Sequence, residues 1–370
     1  MTGVTHSGTQ MVEVEARVFP APGPGRGRAM RLEDLGEFGL ISRLTDALET
    51  RADVALGVGD DAALLDPGPD MLVAATVDAL VAGRHFLMTV ATPEEIGRKA
   101  LAVNLSDLAA MGAEPCWALV SLLLPASLEV SVLDGVYAGL RREAREYGMA
   151  VVGGNVAATD GPLTLDVVAL GRCPQGTAVT RAGGKPGDLL LVTGSLGAAV
   201  AGLLVARDPQ RAAGVAHNVL QQARSAMVTP TPQVAAGRTL ASRRLVTAML
   251  DISDGLTADL GHLCERSGVG AELDASLIPV DPAATTIAPL YGRDPLALAL
   301  YGGDDYELVC ALAPKYRDEA LAALREVGCA PTIIGRLTEP GAGMTLRHAD
   351  GSTEPLAAKG WDHLNPGWSV

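Results

Sequence analysis

The sequence predicts an α/β (α+β) protein built from two mixed α/β domains. Apolar runs of strand length alternate with helix-length segments from residue 72 onward. A Gly- and Pro-rich stretch, residues 174–187, splits that alternation into two series. Acidic residues recur where the strands of both series run out. The expected organisation is a flexible extension over residues 1–30, a first domain over 31–173 and a second over 174–370. The length of 370 residues agrees, at roughly 150 residues per domain.

The extension is expected because Phe19-Pro20-Ala21-Pro22-Gly23-Pro24-Gly25-Arg26-Gly27 suits no regular element. Residues 72–77 form a continuous apolar run ending at Asp78, the pattern of a buried strand. Thr92 then reads as an N-cap, with Pro93 at the first helical position. Glu94 and Glu95 fall in the first turn, where the helix dipole favours anions. Ile96, Leu101, Leu105 and Leu108 keep helical spacing, and Gly112 ends the helix. Asn104 and Asp107, three residues apart, share one face of it. A strand over 116–124, an amphipathic helix over 130–147 stopped by Gly148, and strands over 149–152 and 164–171 complete the first series. The second runs through strand 189–193, a helix from Ser195, a helix over 212–227, a break at Pro230 and Pro232, strand 245–250 and a helix to about Arg266. Strand 306–312, helix 315–327 and strand 332–337 follow.

Composition narrows the function. Hydrophobic residues make up 48% but aromatics only 3%, so the core must be Ala, Val and Leu. A formal charge of −14 argues against nucleic acid or an anionic membrane as partner. No apolar stretch reaches the ~18–20 residues that span a bilayer, and no signal-peptide-like run opens the chain. Cys116, Cys173, Cys264, Cys310 and Cys329 contain no C-x-x-C pair, which removes zinc-site and thioredoxin-like readings. Three of them sit in apolar surroundings, as in a reducing compartment. The expected location is the cytoplasm.

Five acidic patches carry the chemistry: Gly59-Asp60-Asp61, Asp78, Asn104-Leu105-Ser106-Asp107, Asp251-Ile252-Ser253-Asp254-Gly255 and Gly302-Gly303-Asp304-Asp305. Asp and Gly also mark ordinary turns, but turns need no runs of carboxylates after apolar strands. Hard oxygen ligands dispersed in this way suit Mg²⁺, which takes one or two carboxylates and completes its shell with water and phosphate. Glycine beside them lets a phosphate approach the backbone. A magnesium-nucleotide enzyme follows. Gly57-Val58-Gly59-Asp60-Asp61-Ala62 fits the loose G-x-G-x-x-A dinucleotide pattern, yet two carboxylates inside that loop would repel a pyrophosphate. The P-loop, protein-kinase, H-E-x-x-H and G-x-S-x-G signatures are absent. His85, after a strand end, and Arg181, in the junction, are candidate ligands; spacing alone leaves a structural His and a solvated Arg equally open.

Gly36-Glu37-Phe38-Gly39-Leu40-Ile41, Gly59-Asp60-Asp61, the run from Val103 to Gly112, Asp251-Ile252-Ser253-Asp254-Gly255-Leu256, the run from Gly302 to Leu308 and Lys359-Gly360-Trp361 together resemble the thiamine-monophosphate kinase family. The resemblance runs in order from about Leu32 to Leu364. It implies the aminoimidazole-ribonucleotide synthetase-like fold, whose N-terminal domains pair into a barrel-like homodimer. It also implies transfer of phosphate from ATP to thiamine monophosphate with Mg²⁺. By position, Asp61, Asp78, Asp107, Asp251 and Asp254 would hold the metal, with Asp60 in support, and Asp107 and Asp251 would be central to catalysis. Gly154, Asn155, Arg181 and Ser253 would meet the nucleotide. His85, Asp304 and Trp361 would line the thiamine monophosphate site, the Trp361 indole stacking on a thiamine ring.

Three positions depart from the family pattern. Asp304 stands where Glu is frequent, which implies a water-bridged reach to substrate. Asn155 stands where Asp is common, and Val77 where Thr or Ser is usual. The competing identities are a selenophosphate synthetase-like enzyme, which would carry a reactive Cys near the N-terminus whereas none precedes Cys116, and a non-catalytic nucleotide or thiamine-phosphate binder.

Overall fold

The computed structural model describes Met30, Leu40 and residues 42–56 and 64–361. A short antiparallel pair, β1 (Val54–Leu56) and β2 (Leu64–Leu65), precedes two larger sheets. The first of these holds β3 (Met71–Val81), β4 (Glu114–Pro125), β5 (Ala150–Thr159) and β6 (Thr164–Pro174) in the order β3-β6-β4-β5. β4 and β5 are parallel, which requires a crossover. The helix α2 (Val130–Glu146) supplies it and packs against α1 (Pro93–Ala110). β6 shows the expected period of two. Leu165, Val167 and Ala169 are buried, while Asp166, Val168 and Leu170 are half-buried on the other face.

The second sheet contains β7 (Leu189–Val192), β8 (Ala248–Asp251), β9 (Gly270–Asp274), β10 (Leu308–Leu312), β11 (Thr332–Thr338), β12 (Met344–Arg347) and β13 (Thr353–Pro355), in the order β13-β12-β9-β11-β7-β10-β8. Its helices are α3 (Ala198–Arg207), α4 (His217–Val228), α5 (Val234–Ser242), α6 (Leu256–Ser267), α7 (Pro282–Ile287), α8 (Pro295–Tyr301) and α9 (Arg317–Glu326). β7 and β10 are apolar throughout because both faces are covered. Leu191, Leu308, Cys310 and Leu312 join the core that contains α1. Leu190, Val192, Val309 and Ala311 pack on the other side with Leu256, Leu260 and Leu263 of α6.

Helix α1 connects the two sheets. It packs on β3 and β6 and also on β8 and α5, so nearly every residue from Ile96 to Ala110 is buried. Its start is fixed by a capping box. The Thr92 N–H donates to Glu95 Oε2 at 2.8 Å, and the Glu95 N–H donates to Thr92 Oγ1 at 3.3 Å. The guanidinium of Arg224, on α4, donates to both Glu95 oxygens at 2.7 Å.

The structure corrects several sequence expectations. The strand expected over 72–77 runs from Met71 to Val81 and is not buried: Leu72, Val73 and Val77 are 47%, 49% and 57% exposed. β3 is an edge strand, and the described residues leave its outer face open. The helix expected from Ser195 starts at Ala198, after Gly197 takes a left-handed φ of 93°. The strand expected from 245 starts at Ala248, because Arg244 turns the chain with a φ of 54°. The strand expected from 306 starts at Leu308, since Asp304 and Tyr306 are left-handed. The helix over 212–227 is replaced by a 3₁₀ turn, Pro209–Ala212, and α4. Four cysteines rather than three are buried, and none of the five is bonded to another. No helix among the described residues is long and apolar enough to cross a membrane.

Two glycines let α1 and α2 touch backbone to backbone. A Cβ on Gly97 would lie 1.9 Å from the Val136 carbonyl oxygen, and one on Gly139 would lie 1.9 Å from the Glu94 carbonyl oxygen. Gly97→Ala is therefore expected to destabilise the protein by about 1–3 kcal/mol through overpacking, read as a lower urea midpoint at unchanged slope. Gly214→Ala, where a Cβ meets nothing within 4 Å, serves as control; equal losses in both variants would refute the close-contact explanation.

Candidate active site

Four of the aspartates singled out in the sequence converge where α1 meets both sheets. Asp78 lies on β3, two residues after Thr76, so their side chains share a face. The Thr76 hydroxyl donates to Asp107 Oδ2 in the last turn of α1. The neighbouring Ser106 hydroxyl donates to Asp251 Oδ2 at 2.7 Å, at the end of β8. Adjacent α1 residues thus bring two carboxylates together, Asp107 supplying one and Ser106 binding the other. Asp254 follows in the loop before α6. That loop is shaped by Asp259, whose Oδ2 accepts the N–H groups of Ser253, Asp254 and Gly255 at 3.1 Å. Gly255 has a φ of 118°, and a Cβ there would meet the Gly302 carbonyl oxygen at 2.9 Å.

These carboxylates repel one another. Burial first, and then the charges of Asp107, Asp254 and Asp166, push the Asp78 carboxyl up to about 6. Burial also raises Asp107, opposed by the Thr76 hydrogen bond and by Arg181. Asp251 is raised by burial and by Asp107, against the Ser106 hydrogen bond and Arg181. Arg181, exposed in the junction, is therefore within electrostatic reach of the cluster. Among the described residues no three His, Cys, Asp or Glu side chains close into a cage that could hold an ion unaided. A hard cation that takes one or two carboxylates and completes its shell with water and phosphate needs no such cage.

A second group adjoins the first. Asp304 has a left-handed φ of 65°, and its N–H donates to the Ser253 carbonyl at 2.8 Å, tying the two acidic loops together. Its Oδ2 accepts from Lys99 Nζ at 2.7 Å and its Oδ1 from the Tyr306 hydroxyl at 2.8 Å. Lys99 also donates to the His85 carbonyl at 3.2 Å. His85 Nδ1 accepts the Val81 N–H at 3.0 Å, which leaves Nε2 to carry the proton of a neutral ring. The Trp361 N–H donates to the Asp254 carbonyl at 2.9 Å, and the Thr257 hydroxyl donates to the Lys359 carbonyl at 2.6 Å. Asp304 and Trp361 thus adjoin the Ser253–Asp254 loop, and His85 is tied to Asp304 through Lys99.

Gly154 and Asn155 are not brought to it. They lie exposed on β5, with three strand spacings, about 14 Å, between Gly154 and Asp78 along the row Asp78–Val167–Val120–Gly154. A Cβ on Gly154 would lie 2.0 Å from the Val120 carbonyl oxygen, so packing alone demands glycine there. Asp60 and Asp61 lie outside the described residues. Sequence reasoning missed Thr76, Ser106, Lys99, Asp166 and Asp259. Thr76 could have been found by its period-two spacing from Asp78, and Lys99 as a cation at helical spacing from the apolar Ile96 and Val103.

Comparison with known proteins identifies the family. The family described as AIR synthase related protein, N-terminal domain, matches residues 59–173, and its C-terminal domain counterpart matches residues 185–346. The chain is 39% identical to the thiamine-monophosphate kinase of Escherichia coli (strain K12), covering 89% of this chain and 98% of that one. It is 35% identical to that of Aquifex aeolicus, covering 90% and 100%. Among solved structures, the thiamine-monophosphate kinase of Stenotrophomonas maltophilia K279a superposes with a TM-score of 0.74 at 37% identity, covering 86% of this chain and 98% of that one. "AaThiL complexed with AMPPCP and TMP" superposes with a TM-score of 0.70 at 33% identity, covering 91% and 100%.

The raised carboxyls carry a pH signature. An unfolded aspartate releases its proton near ~3.9, whereas folded Asp78 keeps it to about 6. The folded state therefore binds more protons across that window, and the contribution of Asp78 to stability falls as pH rises from 4 to 6. In chelator, Asp78→Asn is expected to gain stability over the wild type across this range, by at most about 3 kcal/mol. Denaturant midpoints measured at several pH values check it; a pH-independent difference would exclude the raised carboxyl.

Proposed function

This chain belongs to the thiamine-monophosphate kinase family, and we propose that it transfers the γ-phosphoryl group of ATP to the phosphate of thiamine monophosphate, giving ADP and thiamine diphosphate. The observation that carries the proposal is the meeting of Asp107 on α1 with Asp251 on β8, the first held by the Thr76 hydroxyl and the second by the Ser106 hydroxyl. Two anionic phosphates must approach in this reaction, and unit charges ~4 Å apart cost on the order of 4 kcal/mol at a surface-like dielectric. Carboxylates gathered at the same place add to the repulsion, so the site demands cations.

The donor set is hard oxygen, and burial and mutual repulsion raise its members; it fits Mg²⁺. Asp78, Asp107, Asp251 and Asp254 would hold the ions together with Asp60 and Asp61. Bound by these residues, the metal would supply positive charge against the phosphates that must meet there. Arg181 and the Ser253 loop face the nucleotide phosphates, and Gly154 and Asn155 extend the nucleotide surface along β5. His85, Asp304 and Trp361 line the acceptor side, the Trp361 indole stacking on a thiamine ring. The acceptor phosphate is already ionised at neutral pH, so the residues position rather than deprotonate it, and transfer is direct and in line without a phosphoenzyme. Residues 31–173 and 174–370 act as the two domains behind a 1–30 extension, in the cytoplasm.

The protein works as a homodimer. The outer face of the first sheet exposes Val73, Val77 and Leu123 at 49%, 57% and 38%, an apolar surface of the kind that marks an interaction site. A second copy placing its sheet against this one gives the barrel-like pairing.

ADP release with thiamine monophosphate, with other phosphate acceptors and with none tests the activity. Turnover is expected with thiamine monophosphate alone, to stop reversibly with chelator, and to fall more than about 100-fold in Asp107→Asn and Asp251→Asn while the fold persists. Near-normal turnover of either variant in saturating Mg²⁺ would refute the assignment. Val77→Glu is expected to halve the solution mass by light scattering; a wild-type monomer at micromolar concentration would overturn the dimer.

A further inference from the structure

Lys99 is the charged residue that a buried helix would be least expected to carry. It sits in α1 at 3% exposure, eight residues before Asp107, or about 12 Å along the helix axis. An ammonium group has three donors and no acceptor. All three are spent: on Asp304 Oδ2 at 2.7 Å, on the Met227 carbonyl at 3.0 Å and on the His85 carbonyl at 3.2 Å. A fully satisfied, covered ammonium has no donor left for a phosphate. Its partners come from three separate places: the loop after β3, the end of α4 and the loop before β10.

We propose that Lys99 is a positioning residue for the acceptor substrate, holding the Asp304 carboxylate and the His85 loop in one fixed relation to α1. The inference rests on the assignment of His85 and Asp304 to the thiamine monophosphate side. It extends that assignment in two ways. Asp304 is a carboxylate whose two oxygens are already engaged, by Lys99 and Tyr306, on a left-handed backbone pinned to Ser253. Its short side chain suits this inward clamp, so its main effect on substrate is exerted through the shape and charge of the pocket wall. His85, held by its own carbonyl to Lys99 and by Nδ1 to the Val81 N–H, presents Nε2 at a set angle. The ammonium thus sets the acceptor end of the site, while Asp107, further along the same helix, sets the phosphate end.

Lys99→Met keeps the stem and removes the charge. It is expected to raise the KM for thiamine monophosphate by about ten-fold or more, with the KM for ATP changed less than about two-fold. Lys99→Arg should recover part of the loss. Lys99→Met combined with Asp304→Asn should be no worse than the poorer single variant, because both act through one contact. A purely structural role would lower the melting temperature and move both KM values together, and that result would overturn the proposal. If Lys99→Met does not accumulate as folded protein, Lys99→Arg and the double variant carry the same comparison. Asp304→Asn and His85→Ala separate the two levels of inference. If neither alters the KM for thiamine monophosphate, the acceptor-side assignment itself fails. If both raise it and the Lys99 variants do not, only the role of Lys99 fails.

Discussion

The structure depends on the burial of one helix that is not apolar. α1 lies between two sheets and shares a core with both, yet it carries Lys99, Asn104, Ser106 and Asp107 along its length. A buried charge or hydroxyl is costly unless it finds partners. The partners available are on the surrounding elements: Thr76 on β3, Asp251 on β8, and Asp304 in the loop before β10. Satisfying the polar groups of α1 therefore determines how the two sheets sit against each other. The same hydrogen bonds that settle the packing assemble the carboxylates. Asn104 follows the rule only in part: its Nδ2 donates to the Ala100 carbonyl at 3.1 Å, while its buried Oδ1 finds no partner among the described residues.

This accounts for why charge clustering and stability are opposed at the centre of the molecule. Asp78, Asp107 and Asp251 are brought together against their mutual repulsion and against desolvation. The compensation comes from the large aliphatic core on both sides of the second sheet and from helix contacts as close as that between Gly97 and Val136. A scaffold made almost wholly of Ala, Val and Leu can absorb such a cost because it packs closely on every side.

Much of this was legible in the chain. The apolar strand that runs into Asp251 and the capped helix that carries Asp107 follow from apolar runs and cap chemistry that act locally, whereas Asp78, expected at a strand exit, lies inside β3. The residues that join those acids were harder to read. Thr76 and Lys99 keep the spacing of their strand and helix, but the roles of Thr76, Ser106 and Lys99 exist only once α1 is enclosed by both sheets. β3 misled for a related reason. An apolar run predicts cover on both faces, but it does not say which chain provides the cover, and here one face stays open. The short elements between Gly270 and Tyr301 escaped because they are too brief to repeat a period. Gly154 shows the converse: a glycine attributed to ligand access is already required by the Val120 carbonyl.

The capping box at the head of α1 titrates in a different regime from the acids at its foot. Hydrogen bonds from Arg224, and then from Thr92, hold the Glu95 carboxyl down at about 2. Its contribution to stability is full above the unfolded carboxylate range and is lost progressively as pH falls from there through that depressed value. Between those extremes lies a broad acidic interval in which Asp78, and with it the raised Asp107 and Asp251, gain protons while Glu95 keeps its charge and its grip on α4. Mild acid therefore discharges the acidic cluster at the foot of α1 while the Glu95–Arg224 pair at its head keeps its charge.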